Sequence, residues 1–476
     1  MPKRISLNAF DMTTPTHQSP GLWRHPDNRA DTYNTLEYWT DLARTLERGR
    51  FDALFIADVL GVYDVYRNSS APALIDGAQI PLNDPFLQVP AMAAVTEHLG
   101  FAVTAALTYE QPYSFARKLS TLDHLTGGRI GWNVVTSYLD SAARNLGLDR
   151  QIRHDDRYDL ADEFLDVTYK LWEGSWEDGA VVKDRARGIY TDPTKVHPIR
   201  HEGQHFRVPG IHLSEPSPQR SPVIFQAGAS PRGRDFAGQH GEGVFINALR
   251  PDLTRLTTDD IRDRAERHGR SRDSVKIYAL LTAIVADSDA AAERKLAEYR
   301  SYSSAEGALA LYGGWSGLDL ASFDPEQPLK YVDTDAARSA LSIFTKADPT
   351  REWTPLDIAQ HVGVGGIGPV LVGSPTTVAD EIERWIDDAG LDGINLAYAI
   401  TPGSFEEFVD LVVPELQRRG RVWREYEGST LREYLYGAGH HHVADTHPAA
   451  AYRGAYAGQL SAADEQVVPA RTKETV

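Results

Sequence analysis

The sequence alternates short apolar runs with amphipathic stretches, and this alternation limits the possible folds more than any other feature. Apolar residues recur three or four positions apart between the runs, as at Leu160, Phe164 and Val167, which is the spacing of a helix with one buried face. Strand–helix units of this kind form a parallel sheet covered on both sides. Nine runs rich in β-branched and aromatic residues are predicted to be strands: 5–10, 53–58, 101–108, 130–137, 223–227, 244–247, 277–285, 369–372 and 394–399.

About eight such units in one chain favour a closed (β/α)8 TIM barrel over an open sheet. The open dinucleotide-binding sheet is disfavoured because "DMTTPTHQSPG", not G-x-G-x-x-G, follows the first strand. We expect one barrel domain over 1–430 and a C-terminal extension over 431–476. Long loop insertions are predicted at about 62–85, 174–221 and 300–364, and loops of this length at the carboxyl ends of barrel strands are typical of active sites.

Charge and composition exclude several classes of protein. A net charge of −18 argues against partners such as nucleic acid or an anionic membrane. The absence of cysteine excludes disulfides, thiolate metal sites and cysteine nucleophiles. No metal site is expected, since Pro198 and Gly203 interrupt the helical spacing of His197, His201 and His205. No signal peptide and no apolar run near 18 residues are found, so we expect a cytoplasmic protein.

Two helix starts carry groups suited to an anion. Ser230 and Pro231 are a strong N-cap and first-turn pair, and a free helix N-terminus also binds phosphate. His154 and Tyr158 lie four residues apart on one face of a second helix. Capping preferences explain Ser230 and Pro231 without any ligand, and Asp155 beside His154 would repel an anion. Both interpretations stay open at this point.

Three further polar residues stand at predicted strand ends or within a strand. Asp58 closes the second strand, where it would accept a hydrogen bond from a ligand, cap the next helix or pair with an arginine. Asn133 lies in an apolar strand, and a buried amide requires partners. His17 follows the first strand and is either a general acid or base at the barrel mouth or an ordinary surface histidine.

Several long segments carry a family resemblance. "ERGRFDALFIAD", "RHDDRYDLADEF" and "SPQRSPVIFQAGASPRGR" resemble the bacterial-luciferase-like flavin monooxygenases. More narrowly, the chain resembles the group of nitrilotriacetate monooxygenase component A and dibenzothiophene-sulfone monooxygenase. Its opening segment, "RISLNAFDMTTPTHQSPGLWRHP", is most similar to members that act on dimethyl sulfide.

This resemblance implies a (β/α)8 barrel that uses O2 and FMN, supplied as FMNH2 by a separate NADH-dependent flavin reductase. It implies a small organosulfur substrate such as dimethyl sulfide, cleaved at a C–S bond to a thiol and an aldehyde. We also expect a homo-oligomer, either a dimer or a tetramer. The FMN-binding positions of the family match Asp58, Thr104, His154, Tyr158 and Ser230 of this chain. The resemblance implies that the last three bind the phosphate and that Asp58 and Thr104 lie nearer the ring system. Asn133 is added as a further residue close to the ring system.

One departure limits what the resemblance carries over. Sulfone-cleaving relatives have a histidine in the segment that here reads "LYGGWSG", so a mechanism based on that histidine does not apply. Trp23, Leu311, Tyr312 and Trp315 are instead expected to form an apolar substrate wall. The open alternatives are the same chemistry on an amine, chelate or aromatic substrate, flavin-linked hydride transfer, and flavin binding without catalysis.

Overall fold

A computed structural model describes residues 3–228, 230–247, 249–329, 344 and 350–459. Its main sheet is parallel and has nine strands. The other four strands form two short antiparallel hairpins. In chain order the strands are β1 (Ser6–Met12), β2 (Ala53–Ala57), β3 (Gly100–Ala106), β4 (Ile130–Val135), β5 (Val181–Asp184), β6 (Ile189–Thr191), β7 (His201–Glu202), β8 (Arg207–Val208), β9 (Val223–Gln226), β10 (Gly243–Ile246), β11 (Lys276–Val285), β12 (Val370–Gly373) and β13 (Gly393–Ala397).

Eight strands close into a barrel in the order β1, β2, β3, β4, β9, β10, β11 and β13. The ring is completed by β10 pairing with β11 and by β13 pairing with β1. Strand β12 stands outside the ring, because it pairs with the last residues of β11, beyond the part that pairs with β13. The predicted (β/α)8 barrel is confirmed, and all nine predicted strands are present with ends shifted by two residues or fewer.

Helices cover the outside of the barrel with their apolar faces. In α1, for example, Thr35 caps the first turn while Trp39, Leu42 and Leu46 are buried against the sheet. The helices are α1 (Leu36–Arg48), α2 (Ala71–Asp76), α3 (Val89–Ala93), α4 (Pro112–Thr126), α5 (Asp140–Asn145), α6 (His154–Tyr169), α7 (Pro231–His240), α8 (Pro251–Arg267), α9 (Asp289–Tyr302), α10 (Ala305–Ser316), α11 (Pro355–Val362), α12 (Pro375–Ala389), α13 (Gly403–Glu407), α14 (Val413–Arg418) and α15 (Leu431–Tyr436).

The long loops have structure of their own. Segment 62–85 contains α2, and segment 174–221 contains the hairpins β5–β6 and β7–β8, which sequence analysis missed because strands of two to four residues leave no periodic pattern. Segment 300–364 contributes α10 and α11. Parts of this last insertion, 330–343 and 345–349, lie outside the described residues.

The predicted C-terminal extension begins inside the fold. Helix α15 closes the end of the barrel at which the strands start, with the backbone N–H of Leu431 donating to the carbonyl of Gly128 just before β4. Leu431 and Tyr434 pack with Phe225 and Tyr278 in one apolar cluster. Residues up to 459 pack against the barrel as well, since Val443 and Ala449 belong to the main core; the remainder of the extension, 460–476, lies outside the described residues.

Candidate active site

A cavity of about 680 Å³ opens at the carboxyl ends of the barrel strands. Its lining includes Phe10 and Met12 from β1, Gln226 from β9 and Leu280 from β11. The seven candidate cofactor and catalytic residues from the sequence all line this one space: His17, Asp58, Thr104, Asn133, His154, Tyr158 and Ser230.

One end of the cavity is formed by the N-terminus of α7. Ser230 caps this helix, because its Oγ accepts a 3.0 Å hydrogen bond from the backbone N–H of Gly233. The Tyr158 hydroxyl lies so close that a Cβ atom added to Gly228 or Gly233 would stand 2.9 or 2.6 Å from it. The two glycines therefore let a tyrosine hydroxyl, a serine hydroxyl and a helix N-terminus converge on one concave surface.

His154 is the first residue of α6 and borders the same end of the cavity. Its Nδ1 lies 2.8 Å from Oδ1 of Asp155, which leaves Nε2 as the nitrogen available to a ligand. The side chains of Asp155 and Asp156 are 73% and 52% exposed. Both carboxylates therefore face solvent, and neither opposes an anion in the cavity at short range.

Arg157 is a cavity residue that sequence analysis missed. It is 7% exposed, and its Nη1 donates to the carbonyl of Ser137. Among the described residues its buried Nε has no hydrogen-bond partner and no carboxylate pairs with its guanidinium. Burial lowers the pKa of Arg157, and the groups that raise it are Tyr158 and Tyr109. A buried cation of this kind is suited to an anionic ligand, since an unpaired buried charge is costly.

Polar side chains also line the wall formed by β3 and β4. Thr104 and Asn133 face each other across these strands, and Nδ2 of Asn133 donates a 3.0 Å hydrogen bond to Oγ1 of Thr104. Oδ1 of Asn133 and Oδ1 of Asn395 are buried and have no partner within the described residues. Two unpaired amide oxygens in one cavity favour a ligand with N–H or O–H donors.

Two titratable groups that line the cavity, Asp58 and His17, have pKa values shifted in opposite directions. Burial, reinforced by the charge of Asp84, raises the pKa of Asp58 to about 7. Burial lowers the pKa of His17 to about 3, against the opposing effect of a hydrogen bond with the Phe10 backbone. His17 is therefore a neutral imidazole of low basicity, whereas Asp58 changes charge near neutral pH.

A second group of side chains spans three separate loops. The Tyr63 hydroxyl lies 2.7 Å from Oε1 of Gln79 and 2.9 Å from the Tyr138 hydroxyl, and Nε1 of Trp315 donates to it at 3.2 Å. Nε2 of Gln79 donates to the carbonyl of His17 at 2.8 Å. These residues are far apart in sequence, and only the glycine pair before Trp315 hinted at a close approach.

The predicted apolar substrate wall is wrong for three of its four residues. Trp315 lines the cavity. Leu311 is fully buried in a cluster with residues of the 62–85 loop, and Tyr312 is fully buried in a separate cluster within the 300–364 insertion. Trp23 is 40% exposed at the surface, outside the cavity.

Comparison with known proteins identifies the family. Residues 9–393 match the model of the luciferase-like monooxygenases. A dimethyl-sulfide monooxygenase of Hyphomicrobium sulfonivorans is 58% identical over 98% of this chain and 97% of its own. A crystal structure of DmoA from the same organism is 57% identical, has a TM-score of 0.92 and covers 99% of both chains. A riboflavin lyase solved with modified FMN and riboflavin is 38% identical, with a TM-score of 0.87 over 95% of this chain and 100% of that one.

The chain belongs to the luciferase-like monooxygenase family, which confirms the resemblance drawn from the sequence. No described helix is long and apolar enough to cross a lipid bilayer. No group of three or more His, Asp or Glu side chains among the described residues is arranged to hold a metal ion.

Proposed function

We propose that this chain is the oxygenase component of an FMNH2-dependent, two-component monooxygenase that oxidises a small organosulfur compound such as dimethyl sulfide. The observation that carries the proposal is the convergence of the five family-matched residues, together with Asn133 and His17, on one cavity at the carboxyl ends of the barrel strands. Identity of 58% over the whole chain to a dimethyl-sulfide monooxygenase supports the substrate class.

The cavity fits FMN at both ends of the molecule. Arg157, Tyr158, Ser230 and the N-terminus of α7 provide a cation and donors for the phosphate. The unpaired amide oxygen of Asn133 provides an acceptor for the polar edge of the ring system, and Thr104 and Asp58 complete the proposed cofactor contacts.

Bound reduced FMN supplies the electrons that activate O2. The overall reaction places one oxygen atom on a carbon next to sulfur, releases the other as water, and breaks the C–S bond of the hydroxylated product to give a thiol and an aldehyde. The chain holds the substrate in position and excludes water from the site, with apolar walls that include Phe10, Met12 and Trp315. We assign the role of general acid or base to Asp58 in preference to His17, because an acid or base acts best when its pKa lies near the operating pH.

A chelate substrate is less compatible with this cavity. Polycarboxylates are bound by clusters of arginine that pair with several carboxylates at once. Arg157 is the single arginine or lysine among the described residues that line the cavity, and the phosphate requires it. Dialkyl sulfides carry no charge and match the apolar remainder.

The test supplies purified protein with FMN, NADH and O2, with and without a generic flavin reductase. We expect no NADH oxidation by the chain alone, and thiol and aldehyde from dimethyl sulfide once the reductase, or photochemically reduced FMN, is added. Sustained NADH oxidation without the reductase would exclude the two-component assignment. Turnover of nitrilotriacetate or a planar aromatic with dialkyl sulfides unchanged would exclude the substrate class.

A further inference from the structure

Helix α10 contains glycines where a helix disfavours them, and their contacts explain why. A Cβ atom added to Gly314 would lie 1.7 Å from Cδ1 of Tyr63. One added to Gly307 would lie 2.9 Å from Cβ of Asp76. The backbone of α10 therefore packs directly against the 62–85 loop, and a larger residue at either glycine would force a neighbouring side chain to move.

The hydrogen bonds around Tyr63 have a fixed direction. Because Nε2 of Gln79 donates to a carbonyl, its Oε1 faces Tyr63, and the Tyr63 hydroxyl must donate its one proton to it. The indole of Trp315 is only a donor, so the Tyr63 oxygen accepts from it. Tyr138 must then donate to Tyr63 as well, and no proton of this group remains free to rotate.

Tyr63 is therefore held on every side. Its ring is 1% exposed and contacts the Gly314 backbone, while its hydroxyl makes three hydrogen bonds. Tyr63, Tyr138 and Trp315 all line the cavity, so the fixed group forms part of the cavity wall. A cavity of about 680 Å³ is within the range that one cofactor- or drug-sized ligand fills, which leaves little length for a second molecule.

We infer that Tyr63 and Trp315 form the wall that limits substrate length, and that Gly314 positions this wall. The inference rests on the proposed function, since it takes the cavity to hold FMN and an organosulfur substrate together. The inference goes beyond the proposed function, because neither FMN binding nor the oxidation of a sulfide requires these two side chains to limit the length of the substrate.

The experiment uses the full chain with FMNH2 supplied by a reductase and measures kcat/KM for dimethyl, diethyl and dibutyl sulfide. Trp315→Ala should raise the ratio of dibutyl to dimethyl activity by about tenfold or more, because pocket fit discriminates at roughly 10- to 200-fold per methylene. Trp315→Phe, which keeps an aromatic ring but loses the indole N–H that donates to Tyr63, should give a ratio closer to that of the wild type. A ratio is independent of the fraction of folded protein, so general destabilisation does not imitate the effect.

Gly314→Ala and Gly313→Ala form a matched pair. The added methyl at Gly314 must displace Tyr63, whereas at Gly313 the nearest atoms stand 3.3 Å away or more. We expect Gly314→Ala to change the sulfide ratio and to speed amide hydrogen exchange in 62–85, while Gly313→Ala leaves both near the wild type.

The size limit is also measured without turnover, as the chain length at which dialkyl sulfides or dialkyl ethers stop shifting the melting temperature of the FMN-loaded protein. A longer limit in Trp315→Ala supports the inference, and an unchanged limit and ratio in Trp315→Ala overturn it. Failure of the wild type to oxidise any dialkyl sulfide refutes the proposed reaction instead, and the melting-temperature series still decides the inference.

Discussion

The hydroxyl of Tyr38 in α1 donates a 2.7 Å hydrogen bond to Oδ2 of Asp11 in the first barrel strand. Asp11 has no exposed surface, and burial raises its pKa to about 6 against the opposing hydrogen bonds from Tyr38 and the Met12 backbone. A carboxyl group between the barrel and its first helix is thus held in its neutral form in mildly acidic solution.

This group should make folding stability depend on pH in an unusual direction. The folded state binds the Asp11 proton more tightly than the unfolded state, so the contribution is fully present below pH about 4 and is lost as pH rises through about 6. Asp11→Asn stays neutral, and the wild type should lose on the order of 3 kcal/mol relative to this variant between pH 4 and 8. Urea unfolding across this range measures the difference, and a constant difference would contradict the prediction.

The proposed phosphate contacts predict a selective loss of affinity. Ser230→Ala combined with Tyr158→Phe removes two hydroxyl groups, and each charge-assisted hydrogen bond to phosphate is worth about 1.5–3 kcal/mol. FMN should therefore bind much more weakly, while riboflavin, which lacks the phosphate, is little affected. Fluorescence titration of both flavins measures this, and equal losses would mean that the two hydroxyls do not touch the phosphate.

Arg157 should supply the permanent positive charge of the phosphate site. Arg157→Gln should weaken FMN binding by about 10- to 150-fold, from the same 1.5–3 kcal/mol per charge-assisted hydrogen bond, as measured by fluorescence titration. Arg232→Gln is the control, because Arg232 follows the same helix start but pairs with Asp159 and Asp162. If both variants lose the same affinity, the general electrostatic field and not a contact explains the effect.

Asp58 should set the pH dependence of the free enzyme near neutrality. Its pKa of about 7 predicts an inflection of kcat/KM near that pH, which Asp58→Asn removes. His17→Gln should leave the inflection in place, since the pKa of His17 lies far below this range at about 3. Profiles from pH 5 to 9 decide between them; an inflection that disappears only in the His17 variant would return proton handling to the histidine.

The fold was predictable from the sequence because the barrel strands are buried on both faces and read as continuous apolar runs. Strand β12 is also an apolar run, although only alternate residues are buried. Its place outside the ring depends on its register with β11, which a single strand does not encode. The short strands of both hairpins make few contacts of their own and left no pattern.

The cofactor end of the cavity was predictable in part. Ser230 and Tyr158 each belong to a local helix-start pattern, and such patterns can be recognised in the sequence alone. Arg157 lies in the same helix-start segment as Tyr158, but in the sequence it cannot be told from an exposed surface arginine. Its burial depends on the loop after β4, where Ser137 accepts its hydrogen bond. The Tyr63 group draws on residues more than 250 positions apart, and only tertiary structure brings them together.

The segment before β1 and helix α15 meet beneath the barrel, and this has a consequence for how the barrel closes. Arg4, just before the first strand, donates to Oδ1 of Asp52 and to the carbonyl of Tyr434 in α15. Helix α15 packs against the rings of Phe225, Phe245 and Tyr278. Its buried Arg432 also forms an ion pair with Glu242 at 2.7 Å. A barrel without α15 would therefore expose these three aromatic rings to water, so the late-synthesised helix, and not the strands alone, completes the apolar interior at this end.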